Sequence, residues 1–425
     1  MKKKEFRLKM GQLKEVALNL EDKIENGLKN DNTEVKSIPT YIHPLTCGAE
    51  GQAVVLDWGG TNFRAAVINF EGGVANITPK KAGGKEISAS TVKGFSVDDL
   101  LTKQSEFTEE IELPAKAPIG YCFSYPADCL PNGDAELIRW TKGIEINEMI
   151  GKPIGKPLLE KLNNKGKTEF TGIKVINDTV ASLFAGLTDP NFDAYIGLIV
   201  GTGTNMAGFV NANRIPKIDP SLNWQGLTPI NLESGNFKPP HLTKYDEMVD
   251  ENSNNKGSQR FEKSVSGMYI GQLLRYVFPE DGFDDQTDGK ALTDIINAPE
   301  QHKGKHVKAA IAIYKRSAKL VAASLAGLID MLIAHDKSVR KVRITAEGSL
   351  FWSEVAGCKD YNKVVKKTLK DLLAELGHKK VKINIANIES ANMIGSGIAA
   401  LSEIFLEKSV ENCFFCSVKL CAFSV

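Results

Sequence analysis

No run of about 18 uncharged apolar residues occurs in this 425-residue sequence, so none of it qualifies as a membrane-spanning helix by that criterion. Neither sign of charge is in excess: 53 Lys and Arg stand against 52 Asp and Glu, a formal net charge of +1. A broad basic field for nucleic acid or an anionic membrane is therefore excluded, and any anion must be held by local geometry. Cysteine is sparse and odd in number, at Cys47, Cys122, Cys129, Cys358, Cys413, Cys416 and Cys421, which argues against a disulfide framework and suits a reducing cytoplasm. The charged start, MKKKEFRLKMGQLKEVALNLEDKIENGL, lacks the apolar core of a signal peptide. These absences describe a soluble cytoplasmic protein with neither nucleic acid nor membrane as a partner.

Two common phosphate-binding motifs are missing as well. Gly151 to Lys156 has three residues between its glycines and is followed by Pro157, so it lacks the spacing and the hydroxyl of a P-loop. Gly201, Gly203 and Gly208 are wrongly spaced for a dinucleotide fingerprint and lead into a strand instead of a helix.

What is present is ordinary globular material, 42% apolar and 25% charged, in a chain long enough for two domains. Phe6, Met10, Leu13, Val16, Ala17, Leu20 and Ile24 recur at three- and four-residue steps, which predicts an amphipathic helix over 5–28 serving as a structural arm. Pro39 and Pro44 then mark an irregular connection. Val54 to Leu56 and Arg64 to Phe70 read as strands joined by a glycine turn, and Ile196 to Val200 and Met206 to Val210 repeat the design. GGTN at 59–62 and GTGTN at 201–205 suggest an internal duplication, although few residues match. Helical patterns cover 180–187, 264–277, 309–334, 361–376 and 397–406. Strands mixed with helices in both halves predict an α/β chain of two related lobes.

The turn Asp57-Trp58-Gly59-Gly60-Thr61-Asn62-Phe63-Arg64 lets backbone N–H groups approach a phosphate beside an acid and a hydroxyl. A plain Gly-Gly hairpin would look the same, but a strand-end carboxylate such as Asp57 can also hold magnesium through its retained waters. Val175-Ile176-Asn177-Asp178-Thr179-Val180 runs from strand to helix. Helix capping accounts for such a corner, and so does a carboxylate set to take a proton from a sugar hydroxyl. The sequence alone leaves both open. Ser124, Thr141, Lys142, Asn205, Asn231, Glu233, Gln259 and Glu262 are dispersed polar residues, each ordinary as a solvated or capping group. Together they could serve a polyhydroxylated substrate, because a site built to hydrogen-bond hydroxyls rejects analogues without them.

In this order, LDWGGTNFR (56–64), GYCFSYP (120–126), WTKG (140–143), VINDTVASL (175–183), IVGTGTN (199–205), INLESGNF, FEKSVSGMYIGQLLR, EGSLF (347–351) and GSGIAAL (395–401) resemble the hexokinase family over about residues 38–406. The resemblance implies an α/β, actin-like (RNase H-like) fold of two lobes around a catalytic cleft. It implies an N-terminal helix and connector over 1–46, a small lobe over 47–178 completed by about 392–410, a large lobe over 179–391, and a C-terminal tail over 411–425. Asp178 would be the general base and Lys142 would stabilise the transferring phosphoryl group. Ser124, Thr141, Asn177, Asn205, Glu233, Gln259 and Glu262 would hold the sugar. Asp57, Gly59, Gly60, Thr61, Asn62 and Arg64 would form the first phosphate segment, and Gly201, Thr202, Gly203 and Thr204 the second. Gly348 and Ser349, assisted by Gly395 and Ser396, would meet the adenosine.

ATP with magnesium, held at Asp57 through water, would be the cofactors, and glucose the main hexose, with mannose and fructose as further ones. The implied activity is an ATP:hexose 6-phosphotransferase feeding glycolysis, in a monomer or homodimer. A sugar sensor without turnover and an actin-like structural ATPase are the competing readings. The sequence departs from the family pattern at Glu347, where Asp usually precedes Gly-Ser, at Ser234, where Trp is usual, and at Asn236, where a small residue is usual. The loss of a large apolar side chain at Ser234 bears on sugar selectivity. Cys413-x-x-Cys416 in the tail has no second pair or nearby His group, so no metal site is expected there.

Overall fold

The computed structural model describes residues 4–44, 48–79 and 83–412, with the side chains of 403–412 omitted. The cysteine-bearing end, 413–425, lies outside the described residues, and with it the readings made of Cys413, Cys416 and Cys421. In chain order the first elements are α1 (Met10–Lys29), β1 (Ile38–Pro39), β2 (Gly51–Trp58), β3 (Asn62–Glu71), β4 (Val74–Thr78), β5 (Lys85–Glu86) and α2 (Val97–Glu109). Then come β6 (Lys116–Phe123), β7 (Ala127–Cys129), β8 (Ala135–Leu137), α3 (Gly155–Asn164), β9 (Glu169–Ile176) and α4 (Asp178–Ala185). The middle of the chain forms β10 (Ala194–Val200), β11 (Thr204–Asn211), β12 (Leu227–Asn231), α5 (Lys244–Glu251), α6 (Arg260–Val265), α7 (Leu273–Val277) and α8 (Gly289–Asn297). Last are α9 (Gly304–His335), β13 (Lys341–Glu347), α10 (Tyr361–Glu375), β14 (Lys382–Ala386) and α11 (Ala391–Asn412).

These elements form two compact units. One comprises residues 1–39, 191–225 and 230–389, the other 40–190, 226–229 and 390–425. The division falls after Pro190, not after Asp178, so α4 stays with the strands that precede it. In the same way α1 belongs to the unit that contains α9, against which it packs. It is therefore a core element and not an arm. The helix begins at Met10, and Phe6 is buried in the turn ahead of it.

In the second unit the strand order is β4-β3-β2-β6-β9, with β5 on β3. β2 and β3 are antiparallel, while β6 lies parallel to β2 and β9 parallel to β6. Val54, Val55 and Leu56 are fully buried, which is why this strand reads as a continuous apolar run and not as an alternation. The first unit has the order β1-β12-β11-β10-β13-β14. Here β10 and β11 are antiparallel, followed by β13 parallel to β10 and β14 parallel to β13. The same hairpin and two parallel neighbours thus occur in both units, so the duplication that few residues suggested is explicit in the topology.

α9 forms the centre of the first unit. An 18-residue window of it, with mean hydropathy 1.7, is long and apolar enough to cross a membrane, but 83% of that window is buried inside the protein. Ahead of that window in the same helix, Arg316 is held by two hydrogen bonds of 2.6 Å to the carboxylate of Asp246. One predicted helix is broken. Residues 264–277 form the end of α6, a turn and α7, because the turn's backbone is committed elsewhere: the N–H of Gly267 donates to the carbonyl of Gly201 at 2.7 Å.

Candidate functional site

Each unit presents a cluster of candidate residues at its glycine hairpin. In the 40–190 unit, β2 ends at Asp57 and Trp58, and the turn to β3 carries Gly59, Gly60 and Thr61. The parallel neighbour β6 delivers Ser124 just past its end, where the Ser124 N–H donates to the carbonyl of Trp58 at 3.2 Å. A Cβ on Gly59 would stand 3.5 Å from Ser124 Oγ, whereas one on Gly60 would meet nothing within 4 Å, so the turn is backed on one side and open on the other. β9 then delivers Asn177 and Asp178. Asn177 is the N-cap of α4, its side-chain oxygen accepting from the Thr179 N–H at 2.9 Å. Asn177 thus caps α4, and Asp178, the first helical residue, shares the same Thr179 N–H. Its Oδ1 accepts from the Thr179 N–H at 2.7 Å and from the Thr179 hydroxyl at 3.2 Å, which fixes the carboxylate.

Neighbouring charges act on both Asp57 and Lys142 here. Asp57 is 5% exposed, and burial pushes its carboxyl up to about 6; Arg64, the Cys122 thiol and Lys142 pull the other way, and the negative charge of Asp178 adds to the rise. Arg64 lies 3.5 Å from Asp57 Oδ2, while Oδ1 is buried with no hydrogen-bond partner. Burial lowers the pKa of Lys142, against the carboxylates of Asp178 and Asp57 that raise it. The residue is exposed, but its ammonium turns back onto the carbonyl of Gly59, onto that of Ser124 at 3.0 Å and over the ring of Tyr125 at 4.8 Å. An orphaned, buried carboxylate oxygen beside a second carboxylate is a fitting ligand for a hydrated divalent cation, which would relieve both. Thr61 and Asn62 are exposed, their side chains joined at 3.1 Å, and Thr141 is half-buried beside Lys142.

The first unit holds the other candidates. The turn from β10 to β11 carries Gly201, Thr202 and Gly203, and Thr202 is exposed at its tip. Gly348 has φ +109, and a Cβ there would come within 2.3 Å of the Val200 carbonyl. Only glycine allows that approach, which brings Gly348 and Ser349 against Gly201. The Thr204 N–H donates to Glu262 Oε2 at 2.9 Å. Asn205 Nδ2 donates to Asn231 Oδ1 at 2.8 Å, and Asn231 Nδ2 donates to Glu233 Oε1 at 2.8 Å. Burial raises the pKa of Glu262, the Thr204 N–H lowers it, and the nearby Glu233 carboxylate raises it again. Gln259 accepts from Asn255 Nδ2. Ser234 is fully buried, and its N–H donates to Asn205 Oδ1 at 3.1 Å, so the small residue found here takes part in orienting Asn205.

Lys142, Glu233 and Gln259 are also three of the non-glycine residues with positive φ, at 58°, 51° and 51°. Left-handed backbone costs a side-chain-bearing residue about 1 kcal/mol or more and is found preferentially where function requires it.

Gly395 and Ser396 are a correction. Both lie in α11, where a Cβ on Gly395 would come within 1.8 Å of the Ala181 carbonyl and Ser396 is 0% exposed. The glycine permits α11 to pack on α4, and the serine is sealed beneath it, so neither presents a surface to a nucleotide.

Residue patterns missed two supports. Trp58, Phe123, Tyr125 and Trp140 form a cluster of ring contacts from 5.0 to 6.2 Å beneath Ser124, Thr141 and Lys142, and the Tyr125 hydroxyl donates to the Gly60 carbonyl at 3.3 Å. The bulk of aromatics around FSYP and RWTK was the available signal. The second support is Gly267-Met268, whose N–H groups donate to the carbonyls of Gly201 and Thr202 at 2.7 and 3.2 Å.

Two family models, each described as hexokinase, match the chain in succession, one over residues 2–187 and the other over 195–280 and 280–402. The chain belongs to the hexokinase family. A curated hexokinase-2 from Solanum tuberosum is 29% identical over 450 residues, covering 93% of this chain and 89% of the relative. A solved hexokinase from Schistosoma mansoni, complexed with glucose, matches the fold with a TM-score of 0.75 at 24% identity, covering 94% of this chain and 97% of that one. An ROK hexokinase from Thermus thermophilus matches with a TM-score of 0.53 at 16% identity, covering 83% of this chain and 99% of that one. The hexokinase fold is the actin-like α/β fold, and the repeated hairpin with its two parallel neighbours is its expression in this chain.

Proposed function

We propose that this hexokinase-family protein transfers the terminal phosphoryl group of ATP to the 6-hydroxyl of a hexose, with glucose as the main acceptor and mannose and fructose as further ones. The observation that carries the reading is the interacting set of Asp57, Asp178 and Lys142. The charge of Asp178 acts on the protonation of both Asp57 and Lys142 beside a glycine turn, and one oxygen of the Asp57 carboxylate is left without a hydrogen-bond partner.

In this reading Asp178, fixed by Thr179, accepts the hydroxyl proton as the oxygen attacks. Lys142 turns from the Gly59 and Ser124 carbonyls to the transferring oxygens. Asp57 would be the residue to hold magnesium, which when bound would supply neutralisation of the charge on the ATP phosphates. Backbone N–H groups of 59–62 and 201–204 receive phosphate oxygens, and Gly348 and Ser349 meet the adenosine. Ser124, Thr141, Asn177, Asn205, Glu233, Gln259 and Glu262 bind the sugar hydroxyls. Phosphoryl transfer needs this kind of positioning and charge neutralisation more than covalent chemistry from the protein.

Feeding glycolysis from the cytoplasm, as a monomer or homodimer with no nucleic-acid or membrane partner, completes the proposal. The experiment is a coupled ADP-release assay over a panel of hexoses with ATP and magnesium. Hexose-dependent ADP, greatest with glucose, is the expected result. Saturable glucose binding without ADP would make the protein a sugar sensor, and ADP release indifferent to hexose would make it a plain ATPase.

A further inference from the structure

An open-mouthed cavity of about 340 Å³ lies between the N-terminal segment and the first half of α9, within the first unit. Phe6, Ile311 and Ala312 supply its apolar lining, and Arg7, Lys308, Lys315 and Lys319 surround it with positive charge. Positions 308, 311, 312, 315 and 319 share one face of the helix by their three- and four-residue steps. Arg316 is also in the wall, but its charge is already satisfied by Asp246, and its guanidinium lies 5.1 Å over the Phe6 ring.

The other four cations have no such partner. Among the described residues no carboxylate lies within 4.0 Å of their charged groups. That is unlike other shielded lysines of this chain: Lys263 pairs with Asp250 at 2.6 Å and Lys161 with Asp98 at 2.5 Å. Lys315 and Lys319 are nevertheless half-buried. Burial lowers the pKa of Lys319, and the charges of Arg7, Lys315 and Lys367 lower it further. Cations crowded around a cavity without internal counter-charge are unfavourable unless an anion arrives from outside.

We propose that this cavity binds a small soluble bisphosphate, with Arg7, Lys308, Lys315 and Lys319 on its phosphates and its carbon body over Ile311 and Ala312. Four cations match two phosphate groups better than one. The volume suits a small molecule, at the lower end of ligand pockets of about 300–1,000 Å³. A nucleotide base finds no open aromatic face, because Phe6 is 2% exposed and stacked on Tyr245 at 5.7 Å. A nucleic-acid strand finds no basic field beyond the cavity in a chain of net charge +1.

Calorimetric titration of the full chain with fructose 1,6-bisphosphate, pyrophosphate and orthophosphate tests this. Both diphosphorylated probes should bind at least about ten-fold more tightly than orthophosphate, and the K315A/K319A double variant should lose at least about ten-fold of that affinity. Because the substitution relieves repulsion, the double variant should melt no lower than wild type without anion, and its hexose-dependent ADP release should stay within about two-fold. An R7A/K308A variant, which removes the other two cations, should lose affinity in the same way. Equal affinity in wild type and both variants would place the anion elsewhere, and no heat up to about 5 mM probe would remove the site altogether. Orthophosphate binding as well as the two larger probes would overturn the assignment of a bisphosphate.

Discussion

The ammonium of Lys142 lies 4.8 Å from the ring centroid of Tyr125, and the hydroxyl of that same tyrosine donates to the Gly60 carbonyl at 3.3 Å. One side chain thus steadies both the lysine and the glycine turn.

Two substitutions separate these duties. Tyr125→Phe keeps the ring under the ammonium and should cost less than about three-fold in kcat, whereas Tyr125→Leu removes the cation–π contact, worth about 0.5–2 kcal/mol, and should cost about ten-fold. Steady-state kinetics with melting temperatures distinguish positioning from unfolding. Equal loss in both variants would assign the effect to the hydroxyl instead.

Glu233 and Glu262 should act on sugar affinity more than on turnover. Replacing either with Ala leaves buried polar groups unpaired at a cost of about 1–3 kcal/mol, so the hexose KM should rise by about ten-fold or more. Glu262→Gln, which still accepts from the Thr204 N–H, should keep the wild-type melting temperature while losing affinity. An unchanged KM in both Ala variants would remove these acids from the sugar site.

The two hairpins, the strand-to-helix corner at Asp178 and the long apolar helix were legible because each is carried by local pattern. The broken helix at 264–277 was not, since Gly267 gives its N–H to Gly201, a residue far away in sequence. Gly395 and Ser396 carried a motif's resemblance, but the close approach of Ala181 that explains the glycine appears only once α11 and α4 are packed. Likewise helix capping and proton acceptance were both open readings of the Asn-Asp-Thr corner on paper. The structure divides the work, with Asn177 as the cap and Asp178 one position further in.

The pH dependence of stability should have a contribution from Glu21. Burial, followed by the charge and hydrogen bond of Asp330 and the charges of Asp22 and Glu25, pushes its carboxyl up to about 7. A raised pKa means that the folded chain holds a proton the unfolded chain releases. The contribution is therefore full below the unfolded value of 4.5, falls as pH rises, and is lost above about 7. Urea unfolding of wild type and Glu21→Gln across this window should show a smaller fall in the variant. Parallel curves would assign the dependence to other groups.

Asp246 should be a stability residue with no chemical role. Asp246→Ala strands the buried Arg316 guanidinium and should cost about 3–5 kcal/mol in urea unfolding. A loss under about 1 kcal/mol would show that the pair is replaceable.

The most direct test of the account is single-turnover phosphoryl transfer by Asp178→Ala, measured beside glucose binding to the same protein. Loss of the proton acceptor should slow transfer by at least about a hundred-fold with glucose affinity within about three-fold of wild type, and Asn177 should keep α4 capped. Transfer at a near-normal rate in that variant would contradict the role given to Asp178.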